Sequence, residues 1–429
     1  MHVMVLGAGV IGTTSAWFLR QAGHDVSVIE REAQAASETS FANGGQISVS
    51  HAEPWANPSA PLKVLRWLFA DDAPLLFRPR LDPAQWRWCL TFLMECRPCR
   101  TRDNIAKIVE LGLHSRRVLG ETRAELGLHY DDMQRGILHF YTSQAEYDAA
   151  VAPAALMRKL GCDLEMVDRE RMLAIEPALR FTNAQIVGGS MTYADESGDA
   201  CAFTRKLADK AAERGVAFKY NTTVVAIETA RGSVTGVQVR QPDGSYKRLT
   251  ADAYVVALGS YSAGWLKPLG ISLNIYPAKG YSATLPVRDP ERAYTVSLTD
   301  DEYKIVFSRL GNRLRIAGTA ELSGYNLGLN ETRCQALVRR TLEIFPDVAD
   351  PAKAQFWTGL RPATPSNVPL IGATKLPNLF LNTGHGTLGW THACGSGKSI
   401  ARIVSGLAPE VDFDFTGRRG DSPARLQPA

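Results

Sequence analysis

The sequence predicts an α/β protein of two units. One is a Rossmann-type dinucleotide-binding domain assembled from both ends of the chain. The other is a sheet-rich α+β domain supplied by the middle. Three observations predict this: the chain opens with strand, glycine turn and helix; it closes with the same order; and the stretch between carries a strand-rich region over 272–318. The 429 residues suit two or three compact units at ~150 residues each.

The elements read in order as follows. Residues 2–6 form a short apolar strand, followed by a glycine turn, a helix over 13–22 stopped by Gly23, and a second strand over 25–29. Residues 33–50, with small side chains and Gly44-Gly45, read as loop. Helices are predicted at 103–127, where Ile105, Ile108, Val109, Val118 and Leu119 keep approximate helical spacing, and at 144–161 and 203–214. A strand at 217–227 precedes a hairpin of 233–239 and 246–249 around Pro242-Asp243-Gly244. Residues 252–258 read as a buried strand, and 303–309 with 313–317 as a pair joined across Gly311-Asn312. A strand at 378–382, a glycine turn and a helix over 391–405 complete the chain.

Gly7-Ala8-Gly9-Val10-Ile11-Gly12 is a G-x-G-x-x-G pattern between a strand and a helix, and Glu30 ends the next strand 18 positions after Gly12. The first glycine permits the turn, and the second lets backbone approach a pyrophosphate. The third packs helix on strand, and the helix N-terminus offers N–H groups and a positive dipole end. Glu30 suits ribose hydroxyls, with Arg31 beside it. FAD and NAD share this fingerprint. Two features point to FAD: the strand Ala253-Tyr254-Val255-Val256-Ala257-Leu258-Gly259, ending in small residues, and the turn Gly384-His385-Gly386-Thr387-Leu388-Gly389-Trp390 opening a helix. The second aims backbone N–H groups at whatever lies before it, and a flavin edge that gains negative charge on reduction suits that position.

Other classes drop out. The charge of +4 gives no sign of a nucleic-acid partner. Seven scattered cysteines make no disulfide framework and suit a reducing, cytoplasmic setting. Cys96-Arg97-Pro98-Cys99 lacks a second ligand pair, so no metal is expected. Gly395-Ser396-Gly397-Lys398-Ser399 ends like a phosphate loop, but His392 stands where its first glycine belongs. The uncharged stretches near residues 3–19 and 376–397 are too broken by glycine to span a membrane.

Together the residues resemble the D-amino acid dehydrogenase small-subunit family, within the D-amino acid oxidase-like FAD-dependent oxidoreductases. The resemblance covers nearly the whole chain. It rests on the N-terminal fingerprint with Glu30-Arg31, Glu38-Thr39-Ser40-Phe41-Ala42-Asn43-Gly44-Gly45-Gln46-Ile47-Ser48, and Pro61-Leu62-Lys63. It continues through Asp195-Glu196-Ser197-Gly198-Asp199, Gly259-Ser260-Tyr261-Ser262 and Lys279-Gly280-Tyr281-Ser282. Phe356-Trp357-Thr358-Gly359-Leu360-Arg361-Pro362, the run from Asn382 to Trp390 and Ala393-Cys394-Gly395-Ser396-Gly397 close it.

The resemblance implies an FAD domain of glutathione-reductase type, over 1–50, 150–182, 196–270 and 355–429. The substrate domain is then 51–149, 183–195 and 271–354, on a mostly antiparallel sheet. It implies oxidation of a D-amino acid by hydride transfer from the α-carbon to flavin N5, hydrolysis to a 2-oxo acid and ammonia, and electrons leaving to a quinone or another carrier. The loop of Ser40, Ala42, Asn43, Gly44, Gly45, Gln46 and Ile47 would wrap the cofactor, with Val224, Ala257, Leu258, Gly259 and Gly359 also against it. Departures at Gly44, Ala278 and Ser366-Asn367-Val368 leave substrate range open.

Hydride chemistry belongs to the flavin, so the protein must hold the carboxylate and manage an amine proton. The planar fork of an arginine suits a carboxylate. Arg361 of the Gly-Leu-Arg-Pro motif is the candidate that the resemblance implies, with Tyr281 as a second pocket contact, and Tyr303 and His385 as further candidates. Segment 61–100 carries Trp67, Trp86 and Trp88 and a net +3, which suits peripheral contact with an anionic membrane on the inner face of the cell. The same pattern also suits a helical cap over the active site. Three alternatives remain: a related flavin enzyme acting on D-proline, hydroxyproline or sarcosine; an NAD(P)-dependent dehydrogenase; and a non-catalytic FAD-binding subunit.

Overall fold

The computed structural model describes residues 1–67 and 74–411. Two large sheets organise it. The first has six strands in the order Leu370–Ala373, Leu379–Thr383, Ala253–Val256, His2–Leu6, Asp25–Ile29 and Ala217–Lys219. All neighbours run parallel except the first pair. Its inner strands, Ala253–Val256 and His2–Leu6, are almost wholly buried because both faces are covered. Val3, Val5, Val26 and Val28 pack against helices Val10–Gln21, Ala200–Glu213 and Gly389–Val404. Met4, Leu6, Ile29 and Tyr254 face the small antiparallel sheet of Thr223–Ala230, Ser233–Arg240 and Tyr246–Leu249.

The second sheet has nine strands, mostly antiparallel. Its path runs Gln355–Ala363, Tyr276–Pro286, Arg313–Leu322, Ile305–Leu310, Ser297–Asp300, Ile137–Tyr141, Gly188–Thr192 and Leu164–Asp168, with Leu75–Phe77 beside Arg313–Leu322. Helix Glu331–Ile344 packs on one face through Leu337, Val338 and Ile344. Strand alternation sends the other face toward the first unit, with a cavity between.

Element bounds depart from expectation at definite places. The first helix starts at Val10 rather than 13, because Gly9 stands at its N-cap. The long helix is Pro98–Leu126: Pro98 fits its first turn, and Gly127 closes it at φ +58°. The predicted strand 217–227 is two strands, broken around Asn221 at φ +52°. Sheet membership also redraws the predicted units. Residues 150–182 supply Leu164–Asp168, which pairs with Gly188–Thr192 in the larger sheet, and 355–363 also belong there. Helix Pro98–Leu126, expected in the substrate unit, contributes Leu111, Val118 and Leu119 to the core under the first sheet. Residues 412–429 and the Trp67 side chain lie outside the described residues.

A cavity between two sheets

The cavity encloses about 1320 Å³. At one end the first turns of helices Val10–Gln21 and Gly389–Val404 line it, and neither helix cap is closed by its own side chain. Gly7 sits at φ +103°, where a Cβ would stand 2.7 Å from the Ala257 carbonyl oxygen. A Cβ on Gly12 would stand 1.9 Å from the Gly7 oxygen, so Gly12 packs helix on turn rather than lining the cavity. Gly9 lies on the wall, and Ser40 Oγ accepts from the Val10 N–H at 3.0 Å. Glu30 accepts from the N–H groups of Ala8 and Glu32 at 2.7 and 3.0 Å, and burial raises its pKa. Arg31 pairs with Glu38 and lies 4.4 Å from the Tyr261 ring centroid.

The loop after Ser40 also reaches the cavity. Ala42, Asn43, Gly44, Gly45 and Gln46 line it, Ser308 Oγ donates to the Gly44 carbonyl, and the Gln46 amide donates to Ser297 Oγ, the Leu298 carbonyl and Thr299 Oγ1. Ile47 does not: it is fully buried in the core, in a strand paired with Glu196. Ile11, Val224, Ala257, Leu258, Gly259 and Gly359 are on the wall. So are Gly386, Thr387, Leu388, Gly389 and Trp390, whereas Gly384, at φ +78°, shapes the turn behind them.

Several buried polar atoms here lack a partner among the described residues, including Asn382 Oδ1, Trp390 Nε1 and both ring nitrogens of His385. All three residues line the cavity, and an unpaired buried polar group is costly unless something else satisfies it. Glycine turns, two helix N-termini, a carboxylate at a strand end and these orphaned groups fit a dinucleotide. Burial, and then the neighbouring His392, hold the His385 pKa well below the ordinary value, so it is neutral near pH 7.

The other wall is the cavity face of the larger sheet. Arg361 projects from Gln355–Ala363, and its Nη1 donates to the Thr319 carbonyl at 2.9 Å. Among the described residues no carboxylate pairs with it, and burial lowers its pKa to about 10. An enclosed guanidinium without an anion is a site for one.

Two predicted site residues stand differently from Arg361: Tyr281 borders the cavity with its hydroxyl engaged elsewhere, and Tyr303 lies off the wall. The Tyr281 hydroxyl donates to Glu321 at 2.5 Å, and Lys279 and Arg333 stand over its ring. It packs in the core beneath helix Glu331–Ile344, on the sheet face opposite Arg361. Tyr303 is 42% exposed, lies under the Arg340 guanidinium at 4.0 Å and is absent from the cavity wall.

Behind and along this wall stand residues to which the sequence analysis gave no role. Asp195, fully buried, accepts from the N–H groups of Val49 and Ser50, from Ser50 Oγ and from Arg116, and so anchors the loop after Gln46. Farther along the wall, His51, His139 and Asp301 bring ligand atoms within 4.8 Å of one another. His139 Nδ1 and Lys304 Nζ take the two Asp301 oxygens at 2.7 and 3.1 Å, making this an ion-pair cluster. These residues are scattered through three segments, and no local pattern announces them. Asp195 was legible only within its quoted motif.

The wall continues along helix Pro83–Glu95, where Trp86, Cys89, Phe92 and Leu93 line the cavity. Trp88 is buried, donating to the Ala363 carbonyl at 2.8 Å and stacking on Phe92, so it has no outward role. Trp86, Leu90, Leu93 and Met94 are exposed on the same helix, Leu90 by 63%. Among the described residues no helix is long and apolar enough to cross a membrane.

The chain matches the family described as FAD dependent oxidoreductase over residues 2–403. It is 59% identical over 415 residues to a D-amino acid dehydrogenase of Dechloromonas aromatica (strain RCB), covering 97% of this chain and 99% of that one. A D-amino acid dehydrogenase of Paramagnetospirillum magneticum is 49% identical, with 97% and 98% covered. Among solved structures, glycine oxidase from Geobacillus kaustophilus superposes with a TM-score of 0.75 at 21% identity, covering 97% of this chain and 98% of that one, a likeness of fold.

Proposed function

Because this chain belongs to the FAD dependent oxidoreductase family, we propose that it is a D-amino acid dehydrogenase. It oxidises a D-amino acid to the imino acid, which water converts to a 2-oxo acid and ammonia. The electrons leave to a quinone or another carrier rather than to oxygen. Bound FAD supplies the acceptor for the two electrons and the α-hydrogen.

The observation that carries this reading is Arg361, an enclosed guanidinium with no carboxylate partner among the described residues, on a cavity whose far end fits a dinucleotide. Its planar fork takes the substrate carboxylate, and it supplies the anion's missing solvation. His385, neutral and without a partner among the described residues, is placed to accept a hydrogen bond from the substrate amine rather than to hold its proton. Glu30 takes the ribose hydroxyls, the turn of Gly7 and Gly9 approaches the pyrophosphate, and Gly386 to Gly389 face the flavin. The two stacked walls exclude water from the reacting carbon.

The apolar face of Trp86, Leu90, Leu93 and Met94, with Arg78, Arg80, Arg87 and Arg97 in the same segment, supports peripheral contact with an anionic membrane on the inner face of the cell. A quinone dissolved there meets the part of the cavity wall that Trp86 and Leu93 line. Pelleting with vesicles that does not depend on anionic lipid would remove this contact.

The test of the activity is the visible spectrum of the FAD-loaded protein without oxygen. D-alanine and other D-isomers bleach the flavin bands, and L-isomers leave them. Bands that persist through the whole panel would overturn the substrate class, and bleaching by sarcosine or D-proline alone would move it to N-alkylated or cyclic amino acids.

A further inference from the structure

Strand Tyr276–Pro286 lies between Gln355–Ala363 and Arg313–Leu322, and the two ladders differ. Against Gln355–Ala363 the register is unbroken, with Ala278 opposite Arg361 and Gly280 opposite Gly359. Against Arg313–Leu322 it slips: Lys279 pairs with Glu321, but Tyr281 pairs with Gly318. Thr319 and Ala320 therefore stand opposite the single residue Gly280, which is a β-bulge. Thr319 takes φ +56°, a left-handed conformation that a β-branched residue rarely adopts.

Both irregularities meet at one group. The bulge carries the Thr319 carbonyl that accepts from Arg361 Nη1 at 2.9 Å. On the neighbouring strand, a Cβ added to Gly280 would stand 2.3 Å from Cζ and Nη1 of Arg361 and 2.4 Å from Nη2. Alanine there would put a methyl where the guanidinium now lies. The arginine leaves its strand opposite Ala278 and crosses to the diagonal position, which is open because Gly280 has no side chain.

We propose that Gly280 and the Thr319 bulge are positioning elements for Arg361: the glycine clears the floor on which the guanidinium lies, and the bulge carbonyl orients its fork. The inference rests on the reading that Arg361 holds the substrate carboxylate. Both act on the substrate through Arg361. A regular strand with a side chain at 280 would push the guanidinium off the sheet and turn its fork away from the cavity. Since the displaced atoms are the end of a long side chain, the fold survives while the site moves.

The experiment is a double-mutant cycle in the FAD-loaded enzyme on Gly280→Ala and Arg361→Lys, with Thr319→Gly as a third variant. Gly280→Ala raises KM for D-alanine about tenfold or more while kcat stays within about threefold, a loss of binding rather than of the chemical step. FAD content and melting temperature stay near those of the parent. Affinity for a non-oxidised carboxylate, benzoate, read from the perturbed flavin spectrum, falls in parallel. In the Arg361→Lys background Gly280→Ala has no further effect on KM, because no guanidinium is left to displace. Thr319→Gly keeps KM, because the acceptor is main chain.

If Arg361→Lys itself leaves KM and benzoate affinity unchanged, the carboxylate reading fails. If Arg361→Lys raises KM but Gly280→Ala does not, the carboxylate reading stands and the positioning role is overturned. A Gly280→Ala effect that persists at full size beside Arg361→Lys, or comes with lost FAD, would also overturn it, because the glycine would then be serving the fold.

Discussion

The two ends of the cavity are built differently. At the dinucleotide end the shape comes from short runs of chain: Gly7, Gly9 and Gly12 lie within one turn, and Gly386 and Gly389 within another. Each run makes its own turn and opens its own helix, so the surface is correct once the local backbone is correct. At the other end Arg361, the proposed carboxylate group, lies over Gly280 and donates to the Thr319 carbonyl, on two other strands of the larger sheet. Nothing there works until the strands are in register. A fold can thus keep a cofactor surface by local rules while its substrate surface changes with each slip, bulge or missing side chain.

Breaking the local end gives the largest effect. Gly12→Ala places a Cβ 1.9 Å from the Gly7 oxygen, and backbone cannot yield as a side-chain tip does. The variant loses about 3 kcal/mol by urea titration, the upper range for overpacking, and keeps little FAD after desalting. At the substrate end Arg361→Lys retains FAD but loses the fork, and KM for D-alanine rises about 10- to 100-fold, ~1.4–2.7 kcal/mol. Steady-state kinetics on protein of matched flavin content separates the two. Equal flavin loss in both variants would erase the distinction between the ends.

A smaller effect sharpens the comparison through pH. Burial holds His392, behind the dinucleotide end, down at about 4. The unfolded chain takes up a proton near pH 6.5 that the native state refuses, so stability falls as pH drops from about 6.5 toward 4, by on the order of 1 kcal/mol per pH unit. Thermal melts from pH 7.5 to 5 show this slope, and His392→Gln flattens it. An unchanged slope would mean that other groups carry the acid sensitivity. The smallest effect is expected at Tyr303, exposed and off the cavity wall: Tyr303→Phe changes KM and kcat by less than about twofold and stability by less than ~0.5 kcal/mol, checked by kinetics and melting.

This pattern explains what the residues alone revealed. The glycine fingerprint, Glu30, the closing glycine turn and the strands around them were legible because each is defined by neighbours within a few positions. Arg361 was legible through its motif, and the structure puts it on the cavity. Tyr281 borders the cavity, but its hydroxyl donates to Glu321 and its ring packs in the core of the larger sheet. Alternation says that positions 280 and 281 point oppositely, but only the sheet's packing under helix Glu331–Ile344 says which side chain is drawn into the core. Trp88 failed as a surface group for a similar reason: helical spacing separates it from Trp86, but burial against the Ala363 carbonyl decides which is outward.

By itself, then, the sequence determined the α/β class and the dinucleotide turn, because backbone conformation and helix starts follow from adjacent residues. The tertiary structure decided that 164–168 and 355–363 join the larger sheet, that Ile47 turns to the core, and that Arg361 lies over Gly280 with no carboxylate partner among the described residues. Burial and Coulomb interactions act through space, so whether any of the chain's 44 acidic residues reaches that guanidinium is settled only when the strands have met.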